Sequence, residues 1–171
     1  MFRRFKSDDK GLAAIEFAII AGVLCIGVLN VSDLAIYFFD DMQVKNAAEM
    51  GAQAAWSNCD LNHIPATVRC SGLSQAVTKA VQSTSLASSI ALQSGSPTEG
   101  FYCVNSGGAL QFVADVNNRP NDCTTAGTPG NEPGDYVVVQ ATYTWTSLFP
   151  GLSVASTLPK TMTSTAWMRL G

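Results

Sequence analysis

Glu16 occupies the most unusual chemical position in this sequence, because it is the one charged side chain within a long apolar stretch. Every other residue from position 12 to about position 32 is uncharged. A stretch of about 20 such residues is long enough to cross a bilayer as a helix. A carboxylate in hydrocarbon costs about a few kcal/mol unless it is neutralised or paired. The pattern therefore predicts a membrane-spanning helix in which Glu16 has a functional role.

The cysteines indicate the compartment of the rest of the chain. Cys25 lies in the apolar stretch, where it is expected to behave as a small apolar residue. Cys59, Cys70, Cys103 and Cys123 all lie beyond that stretch. An even number of cysteines outside the membrane is typical of an oxidising compartment. Proximity along the chain favours two of the possible disulfides, Cys59–Cys70 and Cys103–Cys123.

Residue patterns for catalysis or metal binding are scarce. His63 is the only histidine, and the cysteine spacings match no zinc motif. The sequence contains no G-x-S-x-G, no phosphate-binding glycine loop and no H-E-x-x-H. Oxygen-bearing side chains between Asp115 and Asp122 could approach a calcium ion, but their spacing differs from that of an EF-hand. A solvated turn is the favoured interpretation there. We therefore expect no enzymatic activity, no cofactor and no metal.

The N-terminal leader, residues 1–11, predicts the orientation of the chain. Its basic residues are Arg3, Arg4, Lys6 and Lys10. Positive charge beside an apolar helix favours a cytoplasmic N-terminus, so the C-terminal part would cross the membrane. The formal net charge is −3, and loss of the leader would change it to −5. Because no basic patch would remain, nucleic-acid binding is not expected.

The first third of the chain predicts one long helix. No proline occurs between residues 12 and 56, and good helix formers dominate. The first half is apolar on all sides, whereas the second half has one face of small residues at helical spacing. That face consists of Val44, Ala47, Ala48, Gly51, Ala52 and Ala55. Small side chains allow close approach, so we expect a sheet to pack on this half of the helix.

The remainder of the sequence predicts a small α+β domain. Ser71 is expected to cap a second helix that ends near Ser83. About four strands follow, and the residues Asn-Ser-Gly-Gly predict a hairpin turn between two of them. The clearer strand segments are residues 101–104, 109–114, 136–145 and 161–169, whereas residues 89–93 alternate only weakly. This order of elements favours an antiparallel sheet that packs on the distal half of the long helix.

The start of the chain resembles the processing site of type IV prepilins. It has a basic leader, Gly11 before the cut, Leu12 as the first mature residue and Glu16 as the fifth. The segment MQVKNAAEMGA at residues 42–52 narrows the resemblance to the TadE/TadG-like minor pilins, or pseudopilins, of the Tad/Flp type IV pilus system. The resemblance covers roughly residues 1–57. Gly22 is a departure, since this family usually has proline in the membrane helix.

The resemblance implies a pilin-like fold and cleavage between Gly11 and Leu12 by a prepilin peptidase. The chain would then consist of a leader at 1–11, a transmembrane or assembly helix at 12–33 and an extracytoplasmic domain at 34–171. It would cross the inner membrane once before assembly and reach the periplasm or the surface pilus afterwards. Its partners would be other pilin subunits, the Tad inner-membrane assembly platform and the lipid bilayer. Glu16 would pair with the new α-amino group of Leu12, in its own chain or in a neighbouring subunit.

The function that follows is that of a minor pilin in pilus assembly, surface adherence or filament capping. One alternative is a membrane-anchored extracytoplasmic binding domain that is never cleaved. Another is a pseudopilin of a type II secretion system, which would have the same kind of N-terminal processing site and apolar helix. Cleavage after Gly11 separates the first function from the uncleaved anchor.

Overall fold

The computed structural model describes residues 9–59 and 64–171, with side chains from Gly11 onward. The leader residues before Asp9, and also His63, lie outside the described residues. The described chain has a long N-terminal helix, short helices and an antiparallel sheet. The predicted α+β class is confirmed.

The long helix α1 runs without interruption from Asp9 to Asn58. Its continuity follows from the absence of proline and from the high content of helix-forming residues. Side chains in its first half are mostly exposed, and buried positions recur regularly only in its second half. The helix predicted for residues 12–56 is therefore confirmed. The predicted difference between an apolar first half and a second half that packs through one face is also confirmed.

The chain divides into two compact units. The first unit comprises the chain up to Phe39 together with Trp145–Lys160. The second unit comprises Asp40–Thr144 and Thr161–Gly171. The long connection between the last two strands thus belongs to the same unit as the apolar half of α1, which the sequence did not indicate.

The second unit contains a sheet of five strands, one more than expected. The strands are β1 (Ile90–Leu92), β2 (Thr98–Val104), β3 (Leu110–Asp115), β4 (Gly134–Thr144) and β5 (Thr161–Arg169). All the pairings are antiparallel. β4 pairs with β5, and it also pairs with β2 near its start and with β1 near its end. β4 is central because it is long and mostly buried.

Two short helices precede the sheet. Helix α2 (Ala66–Arg69) was not predicted, and helix α3 (Leu73–Val81) is the predicted second helix. The expected cap at Ser71 is wrong. The residue before α3 is Gly72, whose φ of 84° is left-handed, and no side chain caps this helix. A glycine adopts that backbone conformation without a steric cost.

The small-residue face of α1 forms the centre of the second unit. Ala47, Ala48 and Ala55 are fully buried. A Cβ on Gly51 would lie 2.8 Å from Val81 Cγ2 and 2.9 Å from Val139 Cγ1. Glycine at this position therefore lets α3 and β4 approach the backbone of α1, which confirms the predicted packing of a sheet on the distal half of the helix.

Candidate functional site

The predicted processing site lies on a regular and exposed part of α1. Gly11, Leu12 and Glu16 follow one another on the continuous helix, and Leu12 and Glu16 are one turn apart on the same face. Every side chain from position 11 to position 20 is exposed. A Cβ on Gly11 would meet no atom within 4 Å. Packing among the described residues does not require glycine at this position.

The apolar half of α1 has the properties of a membrane helix. It is the one helix among the described residues that is long and apolar enough to cross a membrane, and none of its most apolar window is buried. In this helix Phe17, Val23 and Val28 are each about two-thirds exposed. Apolar side chains exposed in this way along a whole helix need lipid or another chain around them. Within the described residues, Glu16 forms no ion pair.

A second carboxylate of the same helix, Asp33, has the opposite environment. Its side chain is fully buried. The Ser147 hydroxyl donates a hydrogen bond to Oδ2 at 2.6 Å, and the backbone N–H of Leu148 donates to Oδ1 at 2.9 Å. A buried carboxylate is tolerated when its oxygens accept hydrogen bonds in this way. Asp33 therefore fastens the β4–β5 connection to α1.

Asn30 forms a second attachment on the same face, one turn earlier. Its side-chain oxygen accepts a hydrogen bond from the N–H of Val154 at 2.8 Å, and its side-chain nitrogen donates to the carbonyl of Leu152 at 3.3 Å. The sequence offered a signal for this pair, because Asn30 and Asp33 are three residues apart and begin the polar part of the helix. Their partners, more than a hundred residues away in sequence, could not be identified in advance.

The aromatic cluster at residues 37–39 divides between two environments. The ring of Tyr37 packs edge-on against that of Trp145, with 5.0 Å between the ring centroids. Its hydroxyl donates to the carbonyl of Pro159 at 3.4 Å. Trp145 is buried, whereas Phe38 and Phe39 are exposed. Tyr37 is thus part of the core of the first unit, and only its two neighbours are free to act as an interfacial anchor.

Both disulfides favoured by chain proximity are present. Cys59 and Cys70 are bonded across a separation of 11 residues, and Cys103 and Cys123 across 20 residues. Cys103 and Cys123 are buried with Ala126 in a small cluster of their own. The second bridge therefore holds the long loop before β4 against the β2–β3 hairpin. Cys25 is free and exposed on the apolar helix.

The segment considered for calcium forms a local turn. One carboxylate oxygen of Asp122 accepts a hydrogen bond from the N–H of Thr124 at 3.1 Å. Asp115 ends strand β3. Among the residues that the structure describes, no group of three or more metal-binding side chains occurs.

A buried carboxyl group beside a partly buried one in the second unit was not anticipated. Glu99 accepts hydrogen bonds from the N–H groups of Ala66 and Thr67 at 2.7 and 2.6 Å, at the start of α2. Asp135 is buried, and among the described residues neither of its carboxylate oxygens has a hydrogen-bond donor. Burial raises the pKa of Asp135 to about 6, and the neighbouring charge of Glu99 adds to this increase. Asp135 therefore holds a proton more readily than an exposed aspartate.

Together these features define a class of protein. Its N-terminal helix is apolar enough at the start to cross a membrane, and its second half forms the spine of an α+β domain. Pilin-type proteins have this plan.

Similarity to a known family is found in the N-terminal segment. The family model of the TadE-like proteins matches residues 11–53. The predicted resemblance is confirmed over this segment, which includes Gly11, Glu16 and the small-residue face of α1. Over these residues the chain is similar to the TadE-like proteins. No curated protein and no solved structure matches the chain significantly.

Proposed function

We propose that this chain is a minor pilin of a Tad-type pilus that is processed after Gly11 and acts as a structural subunit rather than an enzyme. The observation that carries the proposal is the TadE-like match over residues 11–53, which begins at the expected cleavage site. The exposed apolar half of α1 supports it, because such a helix needs lipid before assembly and other subunits afterwards.

Processing would convert a membrane precursor into an assembly-competent subunit. The prepilin peptidase would cut between Gly11 and Leu12 on the cytoplasmic side, and the distal domain would lie outside the inner membrane. The Tad assembly platform would then transfer the helix from lipid to neighbouring pilin subunits. Surface adherence and capping of the filament are the roles that fit a minor subunit with a full distal domain.

The cleavage step is tested by the mass and N-terminal sequence of the protein recovered from membranes and from sheared filaments. We expect a mature chain that begins at Leu12. Gly11→Phe should retain the leader, whereas Gly22→Ala, which changes a glycine farther along the same helix, should be processed normally. A mature N-terminus at any other residue would contradict the proposal, and an intact leader would favour the uncleaved anchor.

Glu16 is proposed to guide docking in the membrane. After cleavage, the α-amino group of Leu12 in a neighbouring subunit would neutralise the carboxylate, which is costly to leave unpaired in hydrocarbon. This pairing would favour assembly and fix the register between subunits.

Glu16→Ala and Glu16→Gln test this role. Both variants should be cleaved after Gly11, remain in the membrane and be absent from filaments. Loss of cleavage in both would instead assign Glu16 to recognition by the peptidase. Normal incorporation of Glu16→Ala would refute the pairing.

A further inference from the structure

The connection between β4 and β5 has an unusual composition for an exposed segment. Within Trp145–Lys160, the only charged residue is Lys160. Leu148, Leu152 and Val154 are 58%, 64% and 65% exposed. Three large apolar side chains therefore project from residues 147–154, a segment that we call the apolar loop. Single exposed apolar residues are common on proteins, but a cluster of this kind marks an interaction surface.

Hydrogen bonds fix the position of this connection along α1. Leu152 and Val154 are bonded to Asn30, and Leu148 is bonded to Asp33. Farther along the helix, Tyr37 is bonded to Pro159, the residue before Lys160. The apolar side chains thus lie beside residues 30–33. The one charged residue of the connection, Lys160, directly follows Pro159, which lies beside Tyr37.

These positions can be converted into depths relative to a membrane that contains the apolar helix. Asn30 lies about 27 Å beyond Leu12 at the helical rise of 1.5 Å per residue, close to the thickness of the hydrocarbon core. Tyr37 lies about 10 Å farther out, in the headgroup layer. The polarity of the connection therefore changes in the same direction as that of the membrane, from apolar at the hydrocarbon boundary to cationic among the headgroups.

We propose that the apolar loop is a membrane-docking surface that inserts Leu148, Leu152 and Val154 into the lipid leaflet from which α1 emerges. The inference rests on the proposed insertion of residues 12–32 into the inner membrane. Lipid is the occupant because the loop continues the lipid-facing surface of the helix. Val28 and Val31, on either side of Asn30, are themselves 65% and 68% exposed. Asn30 and Asp33 provide hydrogen-bond partners for three backbone groups of the loop, which lowers the cost of placing the loop in the interface.

Docking would give the precursor a second contact with the bilayer. A single helix can tilt and rotate in a membrane. When the attached apolar loop is also inserted, the tilt and rotation of the helix relative to the membrane surface are restricted. The loop would have to leave lipid when the subunit enters a filament. It would therefore act in the membrane-bound form that precedes assembly.

The test uses the full chain in vesicles of phosphatidylethanolamine and phosphatidylglycerol, at low protein density, with the disulfides intact. In a Cys25→Ser background, a single environment-sensitive fluorophore is attached through Leu152→Cys. Val23→Cys reports the membrane helix, and Ser106→Cys reports the exposed β2–β3 turn of the second unit. Lipids that carry a quencher near the headgroup or at the chain end measure the depth of each label.

We expect the label at position 152 to show blue-shifted emission and several-fold stronger quenching by the shallow quencher than the label at position 106. Adding Val154→Asp should make the emission wavelength and the quenching at position 152 more like those at position 106. Thr146→Asp, at an exposed polar position of the same connection, should leave both unchanged. Strong quenching at position 23 with none at position 152 would overturn the loop inference and leave the membrane helix in place. Absence of quenching at position 23 would refute membrane insertion itself. Protection of position 152 from water without lipid quenching would assign the loop to a second copy of the chain and also overturn the inference.

Discussion

At the scale of single residues, two carboxylates of one helix have different tasks because their surroundings differ. Glu16 is exposed on an apolar surface, where it can be neutralised only by something that approaches it. Asp33 is enclosed by its own chain and already has its hydrogen-bond donors. Glu16 is therefore accessible to a partner, whereas Asp33 attaches the β4–β5 connection to α1.

Asp33→Ala should detach residues 147–154 from α1 without unfolding the sheet. The substitution leaves the Ser147 hydroxyl and the Leu148 N–H without their acceptor, which favours local opening. We expect amide exchange at Leu148 and Val154 to accelerate by about tenfold or more.

The matched control is Asp41→Ala. Asp41 forms an exposed ion pair with Lys45 on the same helix, and such pairs contribute little. Exchange in this variant should be unchanged. Equal exchange rates at Leu148 in wild type and Asp33→Ala would show that Asp33 does not hold the connection.

Asp135 should make the stability of the second unit depend on pH. Its pKa is raised from 3.8 to about 6, so the folded chain binds the proton more tightly than the unfolded chain. The stabilisation by neutral Asp135 is complete below the unfolded pKa and is lost as the pH rises through about 6. Asp135→Asn, which removes the buried negative charge, should raise the free energy of unfolding at neutral pH by about 2 kcal/mol and flatten this pH dependence.

Urea unfolding in mild detergent, repeated across this pH range, measures the effect of Asp135→Asn. The exposed Asp115→Asn is the control and should unfold like the wild type at each pH. A wild-type chain whose stability is the same below and above the raised pKa of Asp135 would contradict the prediction.

At the scale of elements, the second half of α1 is shaped by the need for close approach. A larger residue at position 51 would collide with Val81 and Val139, whereas the rest of the face consists mainly of alanine. The order of small residues along α1 thus sets how near α3 and β4 can lie.

Gly51→Ala should destabilise the second unit despite the higher helix propensity of alanine. The gain in propensity is about 1 kcal/mol, whereas overpacking a filled core costs about 1–3 kcal/mol. A small net loss of folding stability is expected for Gly51→Ala and a much larger loss for Gly51→Leu. Denaturant midpoints report both, with the exposed Gln53→Ala as the control. A Gly51→Ala chain that is more stable than the wild type would show that the contact relaxes easily.

At the scale of the whole molecule, the chain combines an apolar helix, which needs lipid or neighbouring subunits, with a domain held by disulfides. Bridges are useful here because much of the domain consists of long connections, including the one that contains Cys123. Such bonds form and persist in oxidising compartments.

Protein exported normally should therefore contain the pairs Cys59–Cys70 and Cys103–Cys123. Peptide mapping without reduction identifies them. Replacing Cys103 and Cys123 together by alanine should lower the free energy of unfolding by about 2–4 kcal/mol. Cys25→Ala is the control and should have no such effect. Four free thiols in exported protein would contradict both the pairing and the compartment.

The sequence by itself determined the features that depend on neighbours along the chain. Helix propensity and the absence of proline defined α1, and strand-forming residues between turn signals located β2, β3, β4 and β5. Gly11, Leu12 and Glu16 were recognisable because their spacing is local. The two favoured disulfides likewise join cysteines that are close in sequence.

Only the tertiary structure decided which distant segments meet. Asp33 and Asn30 are ordinary polar residues in the sequence, and their role depends on a connection more than a hundred residues later. The proximity of Asp135 to Glu99 and the position of Leu152 and Val154 beside Asn30 arise in the same way. Periodicity reports which face of an element is apolar, but not which remote segment covers it, because that choice is made by packing and hydrogen bonding across the folded chain.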